Sequence, residues 1–67
     1  ALATSPHQYL LAVRIEAARK YLEETEFSID QILQQIGYRD ARSFRRLFRR
    51  KTGLTPIEYR HRFNRRL

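Results

Sequence analysis

The 67-residue chain has no cysteine, only two glycines and two prolines, and no long apolar run. Without cysteine there is neither a disulfide framework nor a thiolate metal site, and two histidines lacking cysteine partners do not make a structural zinc centre. A reducing, intracellular setting is the expectation. No stretch approaches the roughly 18 apolar residues that span a bilayer, and the opening residues lack the pattern of a signal peptide, so a soluble chain is expected. Catalytic signatures are missing too: there is no glycine-rich phosphate loop, no nucleophile beside a base and no cluster of metal ligands. An enzyme is the least favoured class, and no cofactor is expected. A chain this short allows one small domain that buries only about 60% of the surface its unfolded form exposes, so the core must be modest.

What is present is positive charge, and it is unevenly placed. The net charge is +7. Residues 1–38 hold three basic and five acidic side chains, a net of −2, whereas residues 39–67 hold eleven basic and two acidic, a net of +9. Concentration of charge in one half favours a surface that meets a polyanion over general solubility. The densest part is D-A-R-S-F-R-R-L-F-R-R-K-T-G, from Asp40 to Gly53. At 100° per residue, Phe44, Leu47 and Phe48 fall within about 100° of one another, while Arg42, Arg45, Arg46, Arg49 and Arg50 crowd the opposite side. One face wants a core and the other wants anions. A solvated basic face is the alternative for this segment taken alone.

Helix signals divide the chain. Ser5-Pro6-His7-Gln8 combines an N-cap hydroxyl, proline at the first helical position and a glutamine that can complete a capping box. The helix it opens runs to about Glu24, with Leu11, Ile15, Ala18 and Leu22 as an apolar stripe widened by Tyr21. Glu23, Glu24 and Glu26 stand at the wrong end of that helix for its dipole, which implies a frayed terminus or neighbouring arginines that offset the charge. Ser28 starts a second helix, Gln31 can close its capping box, Phe27 can staple onto Ile32, and Gly37 ends it after about two turns. So short a helix must pack on a neighbour. The arginine-rich helix over residues 41–52, capped by Asp40, follows after the tight connection Gly37-Tyr38-Arg39-Asp40, which is the grammar of a helix-turn-helix. Thr55-Pro56-Ile57-Glu58 opens a last helix, with Leu54 and Tyr59 as a staple and with Ile57 and Phe63 as candidates to return to the core.

The expected fold is therefore all-α: a small helical domain with one helix-turn-helix preceded by a long helix, its core of the homeodomain-like three-helix kind. The openings T-S-P-H-Q-Y and L-T-P-I-E-Y stand fifty residues apart. Their recurrence is either coincidence or an internal repeat, in which case residues 1–4 are the remnant of an earlier helix-turn-helix. Ala3 stands where that repeat expects the counterpart of Gly53.

The string S-P-x-x-Y with Arg14 and Leu22 downstream, then S-I-x-x-I and G-Y-x-D-x-x-S-F-x-R-x-F-R-R-x-x-G-L-T-P-x-E-Y-R, resembles the C-terminal part of an AraC/XylS-type transcriptional regulator. The resemblance covers Ser5 to Arg60 and is most specific from Gly37 onward. It implies a linker helix over residues 5–25, a second helix-turn-helix with its C-terminal helix over residues 26–67, and insertion of the recognition helix into the DNA major groove. It also implies a first helix-turn-helix and an effector-binding domain outside these residues, contact with RNA polymerase, and a place in the bacterial cytoplasm on the nucleoid.

Position along the second helix sorts the expected contacts to double-stranded DNA. Ala41, Arg42, Arg45 and Arg46 are candidates for base edges, with Arg42 and Arg46 bidentate to guanine and Ala41 against a thymine methyl. Arg49 and Arg50, one turn further on, are candidates for phosphates, joined by Ser43, Arg39, Arg60 and the backbone amide of Ile29 at the positive end of the second helix. Arg14 is expected to be structural or a phosphate contact. A protein-interaction module using the basic face is the competing reading, weakened because Arg42 to Arg50 interleaves no outward apolar anchor. Sequence-specific RNA binding would want exposed aromatics, and here Phe44 and Phe48 share the core side.

Overall fold

Four helices account for most of the described residues, 6–64, of the computed structural model: α1 Pro6–Glu24, α2 Ile29–Ile36, α3 Ala41–Thr52 and α4 Pro56–Phe63. The architecture is all-α, and the capping signals of α2, α3 and α4 stand where the sequence puts them. Ser5, residues 1–4 with the proposed repeat remnant, and Arg65 and Arg66 lie outside the described residues.

Side chains write the helix boundaries. Ser28 Oγ accepts from the Gln31 amide at 3.2 Å while Gln31 Oε1 accepts from the Ser28 amide at 2.8 Å, so both arms of the capping box are made. Thr55 and Glu58 repeat the device ahead of α4 at 3.2 and 2.9 Å. Gly37 and Gly53 close α2 and α3 with φ of +77° and +83°, a left-handed conformation in which a Cβ would be strained.

Burial follows one seam. Ile15, Ala18 and Leu22 of α1, Ile32 and Leu33 of α2, Phe44 and Phe48 of α3 and Tyr59 of α4 form the core. Helix α1 packs on α2 and α4, and α3 packs on the same two helices. The rings form a continuous ladder: Tyr38 to Phe44 at 5.5 Å, Phe44 to Phe48 at 5.7 Å, Phe48 to Tyr59 at 5.4 Å and Tyr59 to Phe63 at 4.6 Å. Residues 6–14, by contrast, carry no fully buried side chain, and Tyr9, Leu10 and Val13 are exposed.

Two local expectations are corrected. Ile57 is 64% exposed and Phe63 46% exposed; neither returns to the core. Helix geometry explains it, because Pro56 and Tyr59 are the buried residues of α4 and Ile57 is turned about 100° away from Pro56. Phe63 shares the inner arc but rests on the Tyr59 ring at the helix end. The Phe27 ring stacks on Tyr21 of α1 at 5.6 Å.

The acidic end of α1 is held rather than frayed. Asn64 Nδ2 donates to the carbonyls of Leu22 and Thr25 at 2.8 and 2.9 Å, satisfying groups that the helix itself leaves open. The Thr25 hydroxyl donates to Tyr21 O at 2.6 Å. Tyr59 donates its hydroxyl to Glu23 and accepts from Arg19 Nε at 3.0 Å, so an arginine offsets the local charge through one phenol.

Candidate nucleic-acid interface

The interface begins with the cap of α3. Asp40 Oδ1 accepts from the amides of Arg42 and Ser43 at 3.0 and 3.3 Å, and Asp40 Oδ2 accepts from the Ser43 hydroxyl at 3.0 Å. These donors, the Ser43 hydroxyl foremost, hold the Asp40 carboxyl below the usual carboxylate range. The helix they start divides cleanly. Phe44 and Phe48 are 1% and 0% exposed, while Arg42, Arg45, Arg46, Arg49 and Arg50 are all exposed. At 100° per residue the five guanidinium groups span an arc of about 140°, centred opposite the phenyl groups.

That arc carries no apolar side chain, so its chemistry is hydrogen donation and charge. Arginine offers a planar fork of donors suited to phosphate oxygens and to the guanine major-groove edge. Arg49 is not alone at its end of the arc: it contributes, behind the Thr55 amide and hydroxyl, to holding the Glu58 carboxyl below its ordinary value. At the other end Arg45 and Ala41 share a groove with Ile29, Pro56 and the exposed Ile57.

The remaining candidates are less uniform. Ala41 is half-buried against the core, leaving part of its methyl for contact. Arg39 is exposed in the turn. Ile29 begins α2, where a backbone amide has no partner within the helix, and its side chain packs inward. Ser43 is exposed, but its hydroxyl is already given to Asp40. Arg60 is half-buried, its Nε is buried, and Nη2 donates to Thr25 O at 3.4 Å at the end of α1. Among the described residues no group of histidine and carboxylate side chains could hold a metal ion, and no helix is long and apolar enough to cross a membrane.

A family model described as a helix-turn-helix domain matches residues 1–62 of the chain. The fold agrees with a solved structure, that of the xylose-binding transcription activator XylR, with a TM-score of 0.84 and 32% identity over 94% of this chain and 17% of that one. The chain belongs to the AraC-type helix-turn-helix family. Its relatives include the HTH-type transcriptional regulator Rv1931c of Mycobacterium tuberculosis, 39% identical over 88% of this chain and 23% of that protein. Another is the HTH-type transcriptional activator RhaR of an Enterobacter species, 34% identical over 84% of this chain and 20% of that protein. The AraC-type domain described here thus spans about a fifth of the length of the relatives it matches.

Two features of this AraC-type domain escape sequence reasoning. The Arg19–Tyr59–Glu23 contact and the Asn64 cap on α1 join positions 36 to 42 residues apart. No local pattern announces them. The tyrosine is legible only as an apolar helix position, and asparagine after a helix reads as an ordinary stop.

Proposed function

We propose that this chain binds double-stranded DNA sequence-specifically, as part of a transcriptional regulator, by inserting α3 into the major groove. The observation that carries this reading is the exposure of all five arginines on the arc opposite two fully buried phenylalanines. Arg42 and Arg46, one turn apart near the start of the helix, are assigned to guanine O6 and N7, with Arg45 and the half-buried Ala41 beside them on base edges. Arg49 and Arg50 lie further along and grip phosphates, with Arg39 and the Ile29 amide as flanking contacts. Ser43 joins them only by releasing Asp40, and Arg60, whose Nη2 donates to Thr25 O, is a weaker phosphate contact.

One helix-turn-helix makes few contacts, so high affinity is assigned to a second unit in the longer protein or to dimerisation. Effector binding and contact with RNA polymerase are likewise assigned to the longer protein, on the nucleoid of a bacterial cell. Selection of duplexes from a randomised pool tests the proposal. Enrichment of a common short sequence that also competes better than bulk duplex supports it. Recovery of unrelated duplexes, all displaced equally by any polyanion, overturns it.

A further inference from the structure

We propose that Arg14 is a positioning residue that sets the α2–α3 turn and thereby the presentation of α3; the inference rests on α3 being the DNA-reading helix. Arg14 stands in α1 one residue before the buried Ile15, at the junction between the unburied start of the helix and its packed remainder. Its guanidinium carbon lies 5.9 Å from the centroid of the Tyr38 ring, within cation–π range. Tyr38 meets Phe44 edge-on at 5.5 Å, and Phe44 is the first buried side chain of α3. Two contacts therefore lead from α1 through the turn into the recognition helix.

A second observation concerns the same guanidinium. Arg14 Nη2 lies 3.8 Å from the point a Cβ on Gly37 would occupy, and Gly37 is the residue whose φ of +77° turns the chain out of α2. One planar group thus covers both the left-handed residue and the ring that follows it. Lysine cannot reproduce this, since its ammonium is a point charge on a flexible stem. The cleft around Arg14 is completed by His7, Leu11, Arg39, Asp40 and Ser43, so residues of the turn and of the start of α3 line the same cleft as Arg14.

The test uses the 67-residue chain, a duplex selected by the wild type, and a scrambled duplex of equal length. Arg14→Lys keeps the charge and stem but loses the planar cover. The expected result is a fall of about threefold to tenfold in the ratio of selected to scrambled affinity, the scale of one cation–π contact. The salt slope stays unchanged, and the amide signals of residues 37–43 move in the NMR spectrum. Tyr38→Leu, which removes the ring from the other side, is expected to make the same change, and the double variant to add little further.

Equal loss on both duplexes with a salt slope smaller by about one would make Arg14 a phosphate contact and overturn the proposal. A lowered Tm with an unchanged ratio and unmoved turn amides would reduce Arg14 to packing and overturn it as well. If the wild type itself fails to discriminate between duplexes, it is the DNA-reading assignment that falls. The amide shifts then still decide whether Arg14 fixes the turn.

Discussion

Asn64 Nδ2 donates to the Leu22 carbonyl at 2.8 Å, tying the residue after the last helix to the end of the first. The same amide nitrogen reaches Thr25 O, so the side chain closes α1 in place of a local C-cap. Asn64→Ala removes the partner of the Leu22 carbonyl and leaves Thr25 O with the long Arg60 contact alone, and is expected to destabilise the fold by about 1 to 3 kcal/mol, read from urea unfolding followed by circular dichroism. An unchanged midpoint would mean that α1 does not depend on this cap.

Tyr59 offers a test of the neighbouring contact. Burial first, and the Glu23 hydrogen bond second, push its hydroxyl above the ordinary tyrosine value. A group whose folded pKa is raised contributes stability that is present below the unfolded value and lost as pH rises through the folded one. Among the tyrosines Tyr59 should therefore ionise late in an absorbance titration, and alkaline unfolding should accompany it. Tyr59→Phe keeps the ring ladder, loses both polar partners and should cost about 1 to 3 kcal/mol near neutral pH. Ionisation of Tyr59 at the ordinary tyrosine value would contradict the contact.

The cap of α3 should govern acid stability. The Asp40 carboxyl is held low, so the stability it lends is present above its unfolded pKa and lost as pH falls through the folded value. Asp40→Asn, which keeps an N-cap acceptor, should flatten part of the acid limb of a Tm-against-pH plot. Glu58, also held low, supplies what slope remains. Asp40→Ala should lower Tm further at neutral pH, because the amides of Arg42 and Ser43 then lose their acceptor. Identical acid limbs in wild type and Asp40→Asn would show that the cap carries no pH dependence.

Burial separates core from surface among the apolar side chains of α3 and α4. Ile57→Ser should change stability by no more than about 0.5 kcal/mol, whereas Phe48→Ala should cost about 3 to 5 kcal/mol. A costly Ile57→Ser would return that residue to the core.

These outcomes trace what a sequence can carry. Every boundary marked by a local signal is found where the signal stands: Ser28 with Gln31, Gly37, Asp40, Gly53, and Thr55 with Glu58 each act within a few residues of themselves. The opposed faces of α3 are legible for the same reason, since one helix period sorts phenylalanine from arginine. Placement that depends on where another helix lies is not legible. Ile57 and Phe63 look as apolar as Tyr59, and only the seat of α1 decides that the phenol enters the core with its hydroxyl between Arg19 and Glu23. Arg60 reads as one more cation on a basic helix, and no local pattern announces that its Nη2 reaches Thr25 O.

The central claim is that the cationic arc of α3 reads bases near its start and grips phosphates further on. Its most direct test is the affinity of wild type, Arg46→Ala and Arg49→Ala for a selected duplex and its single-base variants across a salt series. Arg46→Ala should lose about 1 to 3 kcal/mol on the selected site and relax the preference at one base pair. Arg49→Ala should weaken every duplex alike and reduce the salt slope by about one. Uniform loss in both variants, with base preference untouched, would contradict the account.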